Sequence, residues 1–157
     1  MSVARRTFRQ DVPIAAPAEA VRDRLVRLMN DMLALDPLAV SATSVLSETT
    51  TDGATVEHFL VRDRMMFGPL PITFTYRSRV SLDAEGVIEY HTRVPPGIRL
   101  HTTLWCEPDG DGVVVRERID VTAARVLMKT VHTGVVSAQT AVLAKLKESM
   151  ERTSSAT

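Results

Sequence analysis

The sequence predicts an α+β fold: a curved antiparallel sheet of about seven strands gripping one long C-terminal helix, with short helices after the first strand. Three observations predict it. A strand-like segment and a helical stretch open the chain. Alternating segments separated by turn signals fill residues 38–121. An apolar stripe at steps of three and four then runs from about Ala124 to Met150.

The first strand is expected over residues 3–14, where Val3, Phe8, Val12 and Ile14 stand among polar neighbours. Pro13 cannot donate to a ladder, so it belongs at a sheet edge or at the strand's end. Pro17 suits a first helical turn, and Glu19 suits the positive end of the helix dipole. Ala18, Val21, Leu25, Leu28 and Met32 share one helical face, and Asn30-Asp31 separates this helix from a second short turn. Asp36-Pro37 ends helical structure, because the residue before proline avoids the α region.

Leu38–Thr50 and Thr55–Arg62 are strands separated by the turn Thr51-Asp52-Gly53. In Pro71–Leu82, Ile72, Phe74, Tyr76, Ser78 and Val80 alternate with polar residues. Ala84-Glu85-Gly86 turns the chain into Val87–Val94, and Pro95-Pro96-Gly97 interrupts it before Ile98–Glu107. Pro108-Asp109-Gly110-Asp111-Gly112 is a strong hairpin-loop signal, and Val113–Val121 closes the series. In the last helix Ala124, Met128, Val131, Val135, Ala138, Val142 and Leu146 form the stripe. At 1.5 Å per residue it is about 40 Å long, enough to cross a small domain.

At 157 residues and 45% hydrophobic content the chain is expected to form one domain, residues 1–151, followed by a polar tail, 152–157. The formal net charge of zero gives no field favouring nucleic acid. No apolar run approaches a membrane span, so no integral membrane association is expected. No signal peptide is visible, which makes the cytoplasm the expected compartment. The lone Cys106 excludes an internal disulfide framework and a cysteine-rich zinc site. His58, His91, His101 and His132 do not cluster in sequence, and no HExxH or phosphate-cradling glycine loop is present, so neither a metal nor a cofactor is expected.

The order of elements resembles the START / Bet v 1-like helix-grip superfamily, in particular its bacterial polyketide cyclase/dehydrase (SRPBCC) type. The residues that carry the resemblance are Val12-Pro13-Ile14-Ala15-Ala16-Pro17-Ala18-Glu19-Ala20-Val21 before the first helix, and Leu104-Trp105-Cys106-Glu107-Pro108 followed by Gly110, Gly112 and Val113-Val114-Val115-Arg116-Glu117. The likeness covers nearly the whole chain and implies an apolar cavity between sheet and C-terminal helix. Some bacterial members start the last helix with proline and carry a histidine in its middle turns. Here Thr122-Ala123-Ala124 and Gln139 stand there instead.

On such a sheet alternate residues face inward. The expected concave set is Phe59 and Val61; Phe74, Tyr76 and Ser78; Ile88 and Tyr90; Leu100, Thr102 and Leu104; and Val115, Glu117 and Ile119. Glu117 is the exception among apolar neighbours. A buried carboxylate is costly and its pKa rises, which suits a general acid, a ligand contact or a structural ion pair. Tyr76 and Tyr90 are the other weak catalytic candidates, though a core tyrosine with a satisfied hydroxyl explains them as well. Met128, Val131 and Val135 form the facing wall on the helix, with His132 and Gln139 on its polar flank. Met65, Met66 and Phe67 lie within Arg62–Pro71, read as an apolar connection that either gates a cavity or caps the core. Trp105 falls on the opposite alternation from Leu104 and either lines the cavity or meets a neighbouring subunit.

The leading expectation is binding or transport of a hydrophobic small molecule, lipid, polyketide or isoprenoid-like, between sheet and helix. Whether any reaction is catalysed stays open. The alternatives are a cyclase/aromatase-type enzyme, or a partner-binding module with a filled core, for which a homodimer through Trp105 or Met65–Leu70 would be the natural form.

Overall fold

The computed structural model describes residues 2–27, 39–67 and 69–155. β1 (Val3–Ile14) leads into α1 (Ala18–Val26). Six strands follow: β2 (Ala39–Thr49), β3 (Thr55–Phe67), β4 (Leu70–Leu82), β5 (Ile88–Val94), β6 (Ile98–Asp109) and β7 (Gly112–Ala124). The long helix α2 (Arg125–Ser155) ends the described chain, so its final turn takes in most of the polar tail. The second helical turn expected around residues 28–37 lies outside the described residues.

The strands form one sheet in the order β1-β7-β6-β5-β4-β3-β2. Each neighbouring pair is antiparallel. This is the helix-grip architecture. Pro13 sits near the end of β1, an edge strand, where its missing N–H costs no ladder bond.

One sequence reading is corrected here. Arg62–Pro71 was expected to be an irregular connection, yet β3 continues to Phe67 and β4 starts at Leu70, with Met65 opposite Ile72 and Met66 opposite Pro71. Extending the ladder satisfies backbone groups that a loose apolar loop would leave to water. The segment is therefore strand up to Phe67 and again from Leu70.

The β6–β7 turn shows why its glycines are there. Gly110 has φ 58°, in the left-handed region. Gly112 has a different reason: a Cβ built on it would stand 2.5 Å from the Ile14 carbonyl oxygen at the end of β1. Gly112→Ala must push backbone against backbone. A loss of about 2 kcal/mol is expected, read as a lowered urea midpoint at unchanged m-value; an unchanged midpoint would show that the end of β1 yields freely.

Three apolar clusters line the concave side. The first joins Ile14, Val113, Val115 and Leu104 to Val21 and Leu25 of α1 and to Leu143 and Leu146 of α2. The second joins Ile119, Val121 and Ala123 to Met128, with Val131 and Val135 packed against it. The third, Phe59 and Val61, sits on the β3–β5 side. The closest backbone approaches of α2 are to β1 and β7. Both halves of the helix are tied to β1 or to the residues that flank it. The Arg125 N–H donates to the Ser2 carbonyl (3.0 Å). Lys147 Nζ donates to the Pro13 carbonyl (2.6 Å), and Glu151 accepts from the Ala15 N–H (3.0 Å).

Candidate functional site

The inward alternation holds residue by residue on β7: Val113, Val115, Glu117, Ile119 and Val121 are all buried, while Arg118 is exposed. Glu117 therefore sits between Val115 of the first cluster and Ile119 of the second. It is 4% exposed. Gln10, from the neighbouring position on β1, donates from Nε2 to its Oε1 at 2.7 Å. Removal from water raises the Glu117 carboxyl from its ordinary 4.5 to about 7, opposed in part by the Gln10 hydrogen bond. At neutral pH this group is divided between acid and carboxylate, so it can donate or accept.

Tyr90 stands two strands away on β5, with its Cα partner Thr102 on β6 and Thr102 in turn paired with Ile119. Burial pushes its hydroxyl far above the usual phenol range, and the nearby Glu117 charge adds to this. Tyr90 packs on the first and third clusters alike. Beyond it, Thr92 of β5 and Ser78 of β4 are buried and share a hydroxyl–hydroxyl hydrogen bond of 2.9 Å. On β4 and β3 the Tyr76 hydroxyl donates to Asp63 Oδ2 at 2.7 Å.

These groups form a polar band across the concave face, from Gln10 and Glu117 through Tyr90 to Ser78, Thr92, Tyr76 and Asp63. Such a band inside an apolar shell demands partners for its hydrogen-bonding capacity. Glu117, Tyr90 and Tyr76 were among the sequence candidates. Gln10, Thr92 and Asp63 were not, although each continues an inward alternation: Gln10 between Phe8 and Val12, Thr92 after Tyr90, Asp63 after Val61.

The remaining candidates distribute as follows. Phe59, Val61, Leu104 and Ile119 are fully buried, and Met128 joins them from α2. Phe74, Leu100, Thr102, Val131, His132, Val135 and Gln139 are half-buried. Met65, Met66 and Phe67 lie at the β3–β4 hairpin end, apart from the Glu117–Tyr90 centre. Trp105 is excluded from the concave face: its indole N–H donates to Glu107 (3.1 Å) on the outer surface, where Arg116 also binds Glu107 (2.8 Å). Two histidines far apart in sequence meet in space. His91 and His101 are direct partners across β5 and β6, their rings stacked with centroids 4.3 Å apart. Among the described residues, no helix is long and apolar enough to cross a membrane.

Residues 5–151 match the family model described as "Polyketide cyclase / dehydrase and lipid transport". The chain belongs to that family. No curated protein matches the sequence. Among solved structures, the chain is similar to the Zhui aromatase/cyclase from Streptomyces sp. R1128, with TM-score 0.77 and 18% identity over 95% of each chain. It is also similar to a START superfamily protein from Mycobacterium smegmatis, with TM-score 0.66, 14% identity, and coverage of 91% of this chain and 97% of that one. A STAR-related lipid transfer protein fragment from Xanthomonas axonopodis follows at TM-score 0.58 and 16% identity, over 92% and 85% of the two chains. At these identities the likeness speaks for the fold.

Proposed function

We propose that this protein binds an oxygen-bearing hydrophobic small molecule, lipid, polyketide or isoprenoid-like, between the concave face and α2. The single observation that carries the reading is the polar band set between apolar clusters. The clusters suit the carbon skeleton of such a ligand, and the band suits its hydroxyl or carbonyl groups. Glu117 and Tyr90 are the pair to which a ligand oxygen would be directed, since together they can both donate and accept. A cytoplasmic setting belongs to this reading, supported by a lone cysteine that leaves no disulfide to form within the chain.

Native mass spectrometry of protein isolated gently from its own host is expected to show a co-purifying apolar compound. Displacement of a fluorescent apolar probe by that compound should weaken about tenfold in Glu117→Gln or Tyr90→Phe, as the loss of one buried hydrogen bond predicts. Absence of any bound compound, together with no probe binding, would sink the proposal.

A second reading, an aromatase/cyclase-type enzyme, is favoured by the position of the Glu117 pKa near neutrality. A carboxyl of that strength can take a proton beside a ketone and return it to an oxygen within one turnover. Tyr90 would then hold the carbonyl, and the apolar walls would fold the reacting chain. Conversion of a poly-β-keto mimic distinguishes the two readings: turnover that falls at least tenfold in Glu117→Gln supports the enzyme, whereas binding without turnover supports the carrier.

A further inference from the structure

The convex face of the sheet carries a second cluster, unrelated to the interior. Glu89 and His91 stand two residues apart on β5, and so share the face opposite to Ile88 and Tyr90. His101 on β6 lies directly across from His91. Glu89 Oε1 is 3.0 Å from His101 Nε2, and both side chains are near 40% exposed, at 42% and 41%. One ligand atom from each of the three residues can be chosen so that all lie within 4.8 Å of one another.

We propose that Glu89, His91 and His101 form a surface site for one divalent transition-metal ion of the zinc class, bridging β5 and β6. Two imidazole nitrogens and one carboxylate oxygen are a donor set that prefers zinc, nickel, copper or cobalt to magnesium or calcium. A tetrahedral ion bonded at 2.0–2.2 Å needs its ligands roughly 3.4 Å apart. The Glu89–His101 pair, at 3.0 Å, needs to open only slightly to reach that spacing. The stacked rings, inclined at 17°, must splay so that their lone pairs converge. Rotation about their side-chain torsions achieves this, with solvent on the outer side and no backbone change. The backbone beneath is fixed, because β5 and β6 are interior strands flanked by β4 and β7.

The surroundings set the strength. Asp120 faces His101 from β7, accepts from Thr7 at 2.7 Å and is paired with Arg118 at 3.2 Å. Arg79 faces His91 from β4. The cationic Arg79 and Arg118 offset the two carboxylates, so the affinity is micromolar rather than nanomolar, with water completing the coordination. The site staples two neighbouring strands from outside and leaves the concave band untouched.

The test uses chelator-stripped full-length protein titrated with zinc chloride by calorimetry. One ion per chain with a low-micromolar Kd is expected, with no heat from magnesium. A hundredfold excess over Kd should raise Tm by roughly 8 °C. His91→Asn, His101→Asn and Glu89→Gln should each weaken binding about tenfold or more, with Tm in chelator equal to that of the parent. His58→Asn and His132→Asn should bind as the parent does. No saturable binding below millimolar zinc, unchanged affinity in His91→Asn and His101→Asn, or loss only in the His58 and His132 variants would overturn the site.

Discussion

Glu117→Gln is expected to stabilise the protein above neutral pH and to leave it unchanged near pH 4.5. In the folded chain the carboxyl titrates at about 7, against 4.5 when exposed. Below 4.5 both states hold the proton and no cost is incurred. Between 4.5 and 7 the folded state keeps a proton that the unfolded state has lost, so stability falls as pH rises. Above 7 both states are ionised and the full desolvation penalty remains, roughly 3 kcal/mol at 1.36 kcal/mol per pH unit. Glutamine fills the same volume without the charge and can still accept from Gln10. Thermal melts at pH 4.5, 6, 7 and 8.5 should show the variant gaining nothing at the acid end and roughly 5–10 °C at the basic end. A difference that does not change with pH would mean that the carboxylate stays solvated in the folded protein.

Leu146→Ala has an effect of similar size and opposite sign. Leu146 is fully buried in the cluster that unites α2 with Ile14, Val113, Val115 and α1. Truncation removes transfer energy and leaves a cavity, for an expected loss of about 3 kcal/mol. Val126, 80% exposed on the same helix, is the control; its alanine variant should stay within about 0.5 kcal/mol of the parent. Urea denaturation at constant m-value reads both. A loss below about 1 kcal/mol for Leu146→Ala would indicate that this end of the core collapses around the gap and is not rigidly packed.

The inward face of β3 to β7 was readable from the sequence because alternation is a local property. Glu117 stood out for the same reason: a single acid in the run Val113, Val115, Ile119 and Val121 has no local alternative to pointing inward. What the sequence concealed depends on which residues face each other across strands. Gln10 becomes a partner of Glu117 only through the pairing of β1 with β7. His91 and His101, ten positions apart, become neighbours only through the register of the β5–β6 hairpin. The reading of Arg62–Pro71 as an irregular connection failed differently. Methionine and phenylalanine beside Gly68-Pro69 suggest a loop by local composition, but the ladder to β4 decides the backbone.

The pairing of the first strand with the last has a kinetic side. Every contact from β2 to β7 is a hairpin between consecutive strands, whereas β1 finds its partner across a separation such as the 113 residues between Thr7 and Asp120. Closing a loop of that length costs about 4 kcal/mol of chain entropy before any pairing repays it. On a ribosome β1 emerges before the other described strands, and its neighbour in the sheet, β7, is the last of them to follow. The strand whose flanks anchor both ends of the long helix is therefore made before its partner and is among the last to be sheltered, and its run of arginines, Arg5, Arg6 and Arg9, keeps it hydrated and unattractive to other strand edges while it waits.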